Sequence, residues 1–413
     1  IIAKAKEAAE KTNQAAINEQ EQMNGLGTTI ENMLNGTGGS GEETTPPEPT
    51  LPSDGSYSDE KGVNTPNLGE GMTPIKWDET KNDWVETNGS DPEWYNYGET
   101  ESTRKWANAK TSDGSMWVWI PRYAYSITSG YQSSSAGNIE IEYMKGLTNE
   151  TSTGRTSFDN VSGQGKWNIH PAFNYGQIVS GLWVAKFEAS NSGGKIKVEP
   201  GVQSWRSITV NDIYTNCLNY NKTLNSHMMK NDEWGAVAYL SKSKYGKNAE
   251  VDINSDSSYY TGGGSGNAYV NNVGQSTTGT VHGVYDMSGG AWEYVAAYVN
   301  NGNSNLTNYG SSLVNGDAKT KNVYSKGSSD SRDNNYSANS GKYGDAVYET
   351  SANGNASSSS WYGDCSNFPY TSGPFFERGG NYNNGTGAGV FYFSNSNGIS
   401  YGGDSFRPVL AVI

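Results

Sequence analysis

The chain has 413 residues, among them 52 Gly, 12 Trp, 28 Tyr, 2 Cys and 3 His, and its 29 basic against 43 acidic side chains leave a net charge of −14. An acidic chain with no basic stripe excludes nucleic acid as a partner, two cysteines build no disulfide framework, and three scattered histidines (His170, His227, His282) supply a transition-metal site poorly. No apolar run approaches the ~18 residues of a membrane span, and the 12% aromatic content amid abundant Gly predicts short strands, many turns and long ordered loops.

Residues 1–35, rich in Ala, Glu, Lys and Gln, predict a polar helix with Glu7 and Lys11 as an i,i+4 pair and a weak alanine stripe. The opening residue is Ile, not Met, so a longer precursor is expected. This stretch resembles the polar segment that follows the leader helix in pilin-like surface proteins of Gram-positive anaerobes. That resemblance implies an extracellular or cell-surface location on a Gram-positive bacterium and contact with pilus subunits through the helix. Residues 36–67 predict an acidic Pro/Gly-rich linker. Pro46, Pro47, Pro49 and Pro52 favour extension, and seven acids against Lys61 over 36–70 place much of the net charge in a solvated stalk.

Residues 68–112 predict a small β-hairpin cap made of two hairpins, one turning around Asp78–Asp83 and one around Gly98–Thr103. Each carries a Trp in both arms, Trp77 with Trp84 and Trp94 with Trp106, and core packing is the expected role of these rings. Residues 113–413 predict one large domain. MWVWIPRYAYSI and GLWVAKFEAS read as strands, and NDEWGAVAYL reads as a helix with Asp232 as its N-cap. In EVDINSDSS, Glu250, Asp252, Asn254 and Asp256 alternate as hard oxygen donors that suit calcium, without the closing pattern of an EF-hand; no other cofactor is expected. Cys217 and Cys365 are either a disulfide or two buried thiols, since sequence carries no disulfide geometry.

Two further segments are GVYDMSGGAWEYVA at 283–296 and FFERGGNYNNGTGAGVFYF…SFRPVL at 375–410. Asp286, Glu293, Arg378 and Arg407 are charges in otherwise apolar motifs, for which buried Arg–carboxylate pairing is the expected solution. With GLWVAKFEAS and NDEWGAVAYL, these segments resemble the C-type-lectin-like fold shared by formylglycine-generating enzymes and the variable proteins of diversity-generating retroelements. The implied fold class is α+β, with long ordered loops on that frame. Trp292, Glu293, Arg378, Gly379, Gly380, Phe406 and Arg407 are then scaffold, Trp292 as a core residue.

The enzymes of that family carry two cysteines after the RGG segment, and none follows Arg378-Gly379-Gly380 here. Without a thiolate there is no agent for that chemistry, so a non-enzymatic binding protein is expected in place of a sulfatase-modifying-type oxidase; a structural pilus component is the other alternative. In the retroelement family the segment after RGG is diversified at adenines of Asn codons. Asn381, Asn383, Asn384, Asn395 and Asn397 remain, and the intervening Gly, Tyr, Ser, Ile and Asp residues are all reachable from an Asn codon by changing adenines alone. The resemblance thus implies a variable region over about 380–404. Its candidate ligand-binding residues are Tyr382, Gly387, Tyr392, Ser394 and Ser396, followed by Ile399, Tyr401, Gly402, Gly403 and Asp404. Alternation predicts Phe391 and Phe393 on the buried face with Tyr392 and Ser394 facing outward, and the tip from Ile399 to Asp404 outside beside them. Tyr, Ser, Gly and Asn on a rigid frame have the chemistry of a paratope, and the expected partner is a protein or glycan on another cell, a phage or a host.

Overall fold

The structure, a computed structural model, describes residues 57–413. The helix expected over 1–35 and the linker up to residue 56 lie outside the described residues. Among the described residues the architecture is mixed α+β, with two seven-stranded sheets, three smaller sheets and four α-helices.

The first large sheet contains β1 (Thr73–Asp78), β2 (Asp83–Glu86), β3 (Asn108–Lys110), β4 (Met116–Pro121), β5 (Gly181–Ala185), β6 (His227–Met228) and the late strand β14 (Pro408–Leu410). Their order is β6-β14-β5-β4-β3-β1-β2, antiparallel throughout. All residues of β4 and β5 are buried. Their apolar runs are continuous because both faces of these central strands are covered, and Trp119 and Trp183 meet across them with ring centroids 5.2 Å apart.

Residues 68–112 depart from the expected cap. The first hairpin forms, with Trp77 opposite Trp84 in β1 and β2. The second does not: Asn96 and Lys105 make a single bridge, and β3 runs on to pair with β1 and β4. The segment therefore extends the edge of the first sheet. Burial of Trp94 and Trp106 drives this, their indole N–H groups donating to Asn108 O and Tyr245 O at 2.9 Å each. The last residues assigned to the linker are also folded, since Tyr57–Ser58 pairs with Val63–Asn64 and the Asn64 amide donates to Ser180 O at 2.9 Å.

The second large sheet is built from β7 (Trp292–Asn300), β8 (Asn322–Ser325), β9 (Asn355–Ala356), β10 (Ser366–Asn367), β11 (Phe375–Gly379), β12 (Gly389–Ser396) and β13 (Asp404–Phe406). Its order is β8-β7-β11-β12-β10-β9, and β13 lies parallel to the start of β7. The helices are α1 (Val210–Tyr220), α2 (Asn231–Lys242), α3 (Ser304–Asn315) and α4 (Arg332–Ala338). Every residue of α2 is buried, and its N-cap is Lys230, not Asp232. The Glu233 carboxylate takes the Lys230 N–H at 2.8 Å, which places Asp232 inside the first turn, where its own N–H reaches Asn322 Oδ1.

Long loops are held by aromatic anchors. The indole of Trp361 donates to Gly130 O at 2.8 Å and that of Trp183 to Asn67 O at 2.7 Å. Each bond ties a segment to one more than a hundred residues away, so irregular backbone acquires the burial and hydrogen bonding that regular structure would otherwise supply. No helix among the described residues is long and apolar enough to cross a membrane.

Candidate functional site

The alternation of β7, β11, β12 and β13 sorts the C-terminal motifs onto two faces. In the antiparallel ladder Tyr294 lies opposite Glu377 and Glu377 opposite Ser394, while Trp292 lies opposite Asp404 in the parallel pair. One face therefore carries Trp292, Tyr294, Glu377, Tyr392, Ser394, Ser396 and Asp404. The other carries Glu293, Arg378, Phe391 and Phe393.

The inward face is scaffold. Arg407 Nε donates to Glu293 Oε2 at 2.7 Å, a second guanidinium N–H meets Glu293 Oε1, and the remaining donors reach Ala185 O and Tyr285 O. Burial pushes the Glu293 carboxyl up to about 7, with Arg407 pulling it back. This is the expected Arg–carboxylate pair. Arg378 departs from that expectation: its partners are Asn231 Oδ1 at 2.6 Å and the carbonyls of Tyr392, Asp345 and Ala346 at 2.8, 2.9 and 3.0 Å. Carbonyl dipoles solvate it in place of a carboxylate. Asp286 likewise has no arginine and accepts from Asn254 Nδ2 and the Gly262 N–H. Gly379 and Gly380 both take positive φ, and a Cβ on Gly380 would stand 2.7 Å from Ala388.

The outward face holds a cleft of about 200 Å³ whose lining includes Tyr392, Ser394, Ser396, Ile399, Tyr401 and Asp404, six of the ten candidate residues. Their placement corrects the expectation that all of them stand outside. Tyr392 and Asp404 are buried and form the floor, and Gly403 is buried beside them. The reason is the partner each finds: the Tyr392 hydroxyl accepts from Trp292 Nε1 at 3.0 Å, and Asp404 adjoins Glu377 and Tyr294. Ser394, Ser396 and Ile399 are half-buried walls, and Tyr401 is 54% exposed on the rim. The Tyr294 hydroxyl braces the wall through Ser396 Oγ at 2.7 Å and Ile399 O at 3.3 Å.

Trp292 is not a core residue. It is half-exposed and walls the cleft, 6.3 Å from Tyr401 between ring centroids. Gly402 is exposed on the rim, where its carbonyl accepts from Arg206. Tyr382 lies outside the cleft on a neighbouring patch, packed edge-on at 5.0 Å against Tyr259, over which Arg206 stacks. Gly387 stands apart from both, in a short 3-10 turn whose carbonyl accepts from the Cys365 N–H.

Glu377 belongs to the site and was not among the candidates. Its signal was present in FFERGG, because a strand that sends Arg378 inward must send Glu377 outward. Burial, and then the charge of Asp404, push the Glu377 carboxyl well above the ordinary carboxylate range. Burial also pushes Asp404 up to about 7, against the hydrogen bonds of Tyr294 and Glu377. Neither carboxylate takes part in an ion pair among the described residues.

The remaining candidates do not converge. Asp252 is paired with Lys247 at 2.8 Å, Asn254 is buried and committed to Tyr260 O and Asp286, and Asp256 takes the Ser258 N–H, so three of the four residues suited to calcium are engaged with separate protein partners. No group of three or more His, Cys, Asp or Glu among the described residues is placed to hold a metal. Cys217 and Cys365 are separate buried thiols, and burial pushes Cys365 up to about 11. A larger groove of about 430 Å³ runs between Asp113, Lys195 and α1, but its Asp113 is already bonded by Thr111, Ser115 and Tyr220. In comparisons with known proteins, the chain matches no protein-family model and no curated protein.

Proposed function

We propose that this is a non-enzymatic, surface-displayed ligand-binding protein. In this reading a C-type-lectin-like domain of the formylglycine-generating-enzyme type presents a retroelement-diversified face on a pilin-like stem, outside a Gram-positive cell. One observation carries the reading: six residues proposed as diversified, which are scattered over thirteen positions of sequence, share one cleft, while Phe391 and Phe393 on the other face of the same strand are fully buried. A segment that varies on one face and is fixed on the other can change its ligand without changing its fold. Binding without chemistry is supported by the two thiols, since a buried thiol held protonated is a poor nucleophile. The ligand in this reading is a protein or glycan of another cell, a phage or a host.

Sequencing the codons for residues 375–413 across a natural population of the source cells tests the reading. Substitutions restricted to adenines at positions such as 392, 394, 399 and 401–404, with 378–380 and 405–408 constant, are expected. An invariant segment overturns diversification and leaves a fixed adhesin or a structural pilus component.

A further inference from the structure

The cleft has an unusual pairing of walls and floor. Trp292, Tyr392 and Tyr401 present aromatic rings, and Glu377 and Asp404, each more than nine-tenths buried, open into the same space. A buried carboxyl is matched either by a cation, as Glu293 is by Arg407 and Glu233 by Lys230, or by hydrogen-bond donors in closed packing, as Glu349 is by Tyr125, Tyr239 and the Gly344 N–H. Glu377 and Asp404 have no cation among the described residues, and they line an open cleft that one could enter. Aromatic faces carry negative potential and attract a cation placed over them, most strongly where water is excluded. Both parts of the cleft therefore ask for the same missing group.

We propose that the cleft receives a cationic side chain, arginine or lysine, from a partner protein, with Glu377 and Asp404 as its charge partners and Trp292 and Tyr401 as its flanking walls. This rests on the reading of the face as a binding surface and narrows the partner from protein or glycan to protein, because a neutral glycan supplies no such charge. A guanidinium donates in a planar fork that two neighbouring carboxylates can share, and its faces stack on indole and phenol rings. Burial raises the proton affinity of both carboxyls, and the neighbouring Asp404 raises that of Glu377 further; an arriving cation opposes both effects.

The test uses Nα-acetyl-arginine methylamide and Nα-acetyl-lysine methylamide, with the neutral isostere Nα-acetyl-citrulline methylamide as control, titrated into the full chain at pH 7.5. The indole N–H resonance of Trp292, assigned by its loss in Trp292→Phe, reports the cleft because it donates to Tyr392. The cationic probes are expected to shift it at concentrations about tenfold below those needed for citrulline. That preference should vanish in the double variant Glu377→Gln/Asp404→Asn. Should that variant fail to fold, Ser394→Lys supplies a second check: Ser394 lies directly opposite Glu377, so its ammonium fills the hole and abolishes binding of the probes. A shift by citrulline equal to that by arginine overturns the cationic proposal while leaving the face a binding surface. No shift with any probe to tens of millimolar also overturns it, and the codon test then decides the binding reading separately.

Discussion

Asp404 is buried with no cation beside it, and its carboxyl is held near 7 by burial, above the unfolded value near 4. The sign of its effect on stability follows from that order. Stability contributed by a group whose folded pKa is raised is fully present below the unfolded pKa and is lost as pH rises through the folded one. Glu377, raised by burial and by Asp404, behaves in the same sense. The groups facing the pair are Trp292 and Tyr294 from β7 and Tyr392, Ser394 and Ser396 from β12, none of which carries a charge at neutral pH to offset it. Asp404→Asn is therefore expected to raise the thermal midpoint at pH 8 and to leave it nearly unchanged at pH 4, as read by calorimetry. A difference of equal size at both pH values counts against the protonation argument. At the neighbouring Gly403, a Cβ would stand 2.9 Å from both the Trp292 and Tyr401 rings, so variation there alters the shape of the cleft and not only its chemistry.

Strand β12 divides its residues between frame and face. Phe393→Ala is expected to cost about 3–5 kcal/mol in chemical denaturation, since it opens a cavity against Phe368. Ser394→Thr one position later and Tyr401→Ser on the rim should stay within about 0.5 kcal/mol. Equal losses at all three positions would remove the division. Arg378 makes the corresponding case in β11: Arg378→Met strands four acceptors from three separate segments and should cost about 3 kcal/mol or more. Period-two alternation made this division legible in the sequence, and it placed Phe391, Phe393 and Ser394 correctly. Pairing partners were not legible. Whether Trp292 is covered depends on β13, which returns more than a hundred residues later to lie beside it, and whether 94–106 closes as a hairpin depends on β3 finding β4. Arg378 was read as needing a carboxylate because its charge is visible in sequence, whereas the backbone carbonyls that solvate it are brought there only by tertiary folding.

The described residues bury carboxyls on a scale that sets the response of the fold to pH. Burial raises Glu188, Asp286, Glu293, Asp345, Glu349, Asp364, Glu377 and Asp404, of which Glu293, Glu349 and Asp404 stand near 7. Each destabilises the fold as pH rises from about 4 through its folded value. Two histidines oppose this. Burial holds His170 and His282 down at about 3, so the unfolded chain takes up protons below its pKa near 6.5 and stability falls as pH drops through that range. Acids lowered by their partners, such as Glu233 beside His227 and Lys230 and Glu142 beside Arg155, keep their contribution until pH falls below about 4. The raised carboxyls outnumber the histidines, and the self-repulsion of an excess of acidic residues grows in the same direction. The thermal midpoint is therefore expected to peak on the acid side of neutrality, near pH 5 to 6, and to fall by several degrees toward pH 8. A stability maximum at pH 8 in calorimetric scans would mean that these carboxyls are ionised in the fold and that burial does not hold them protonated.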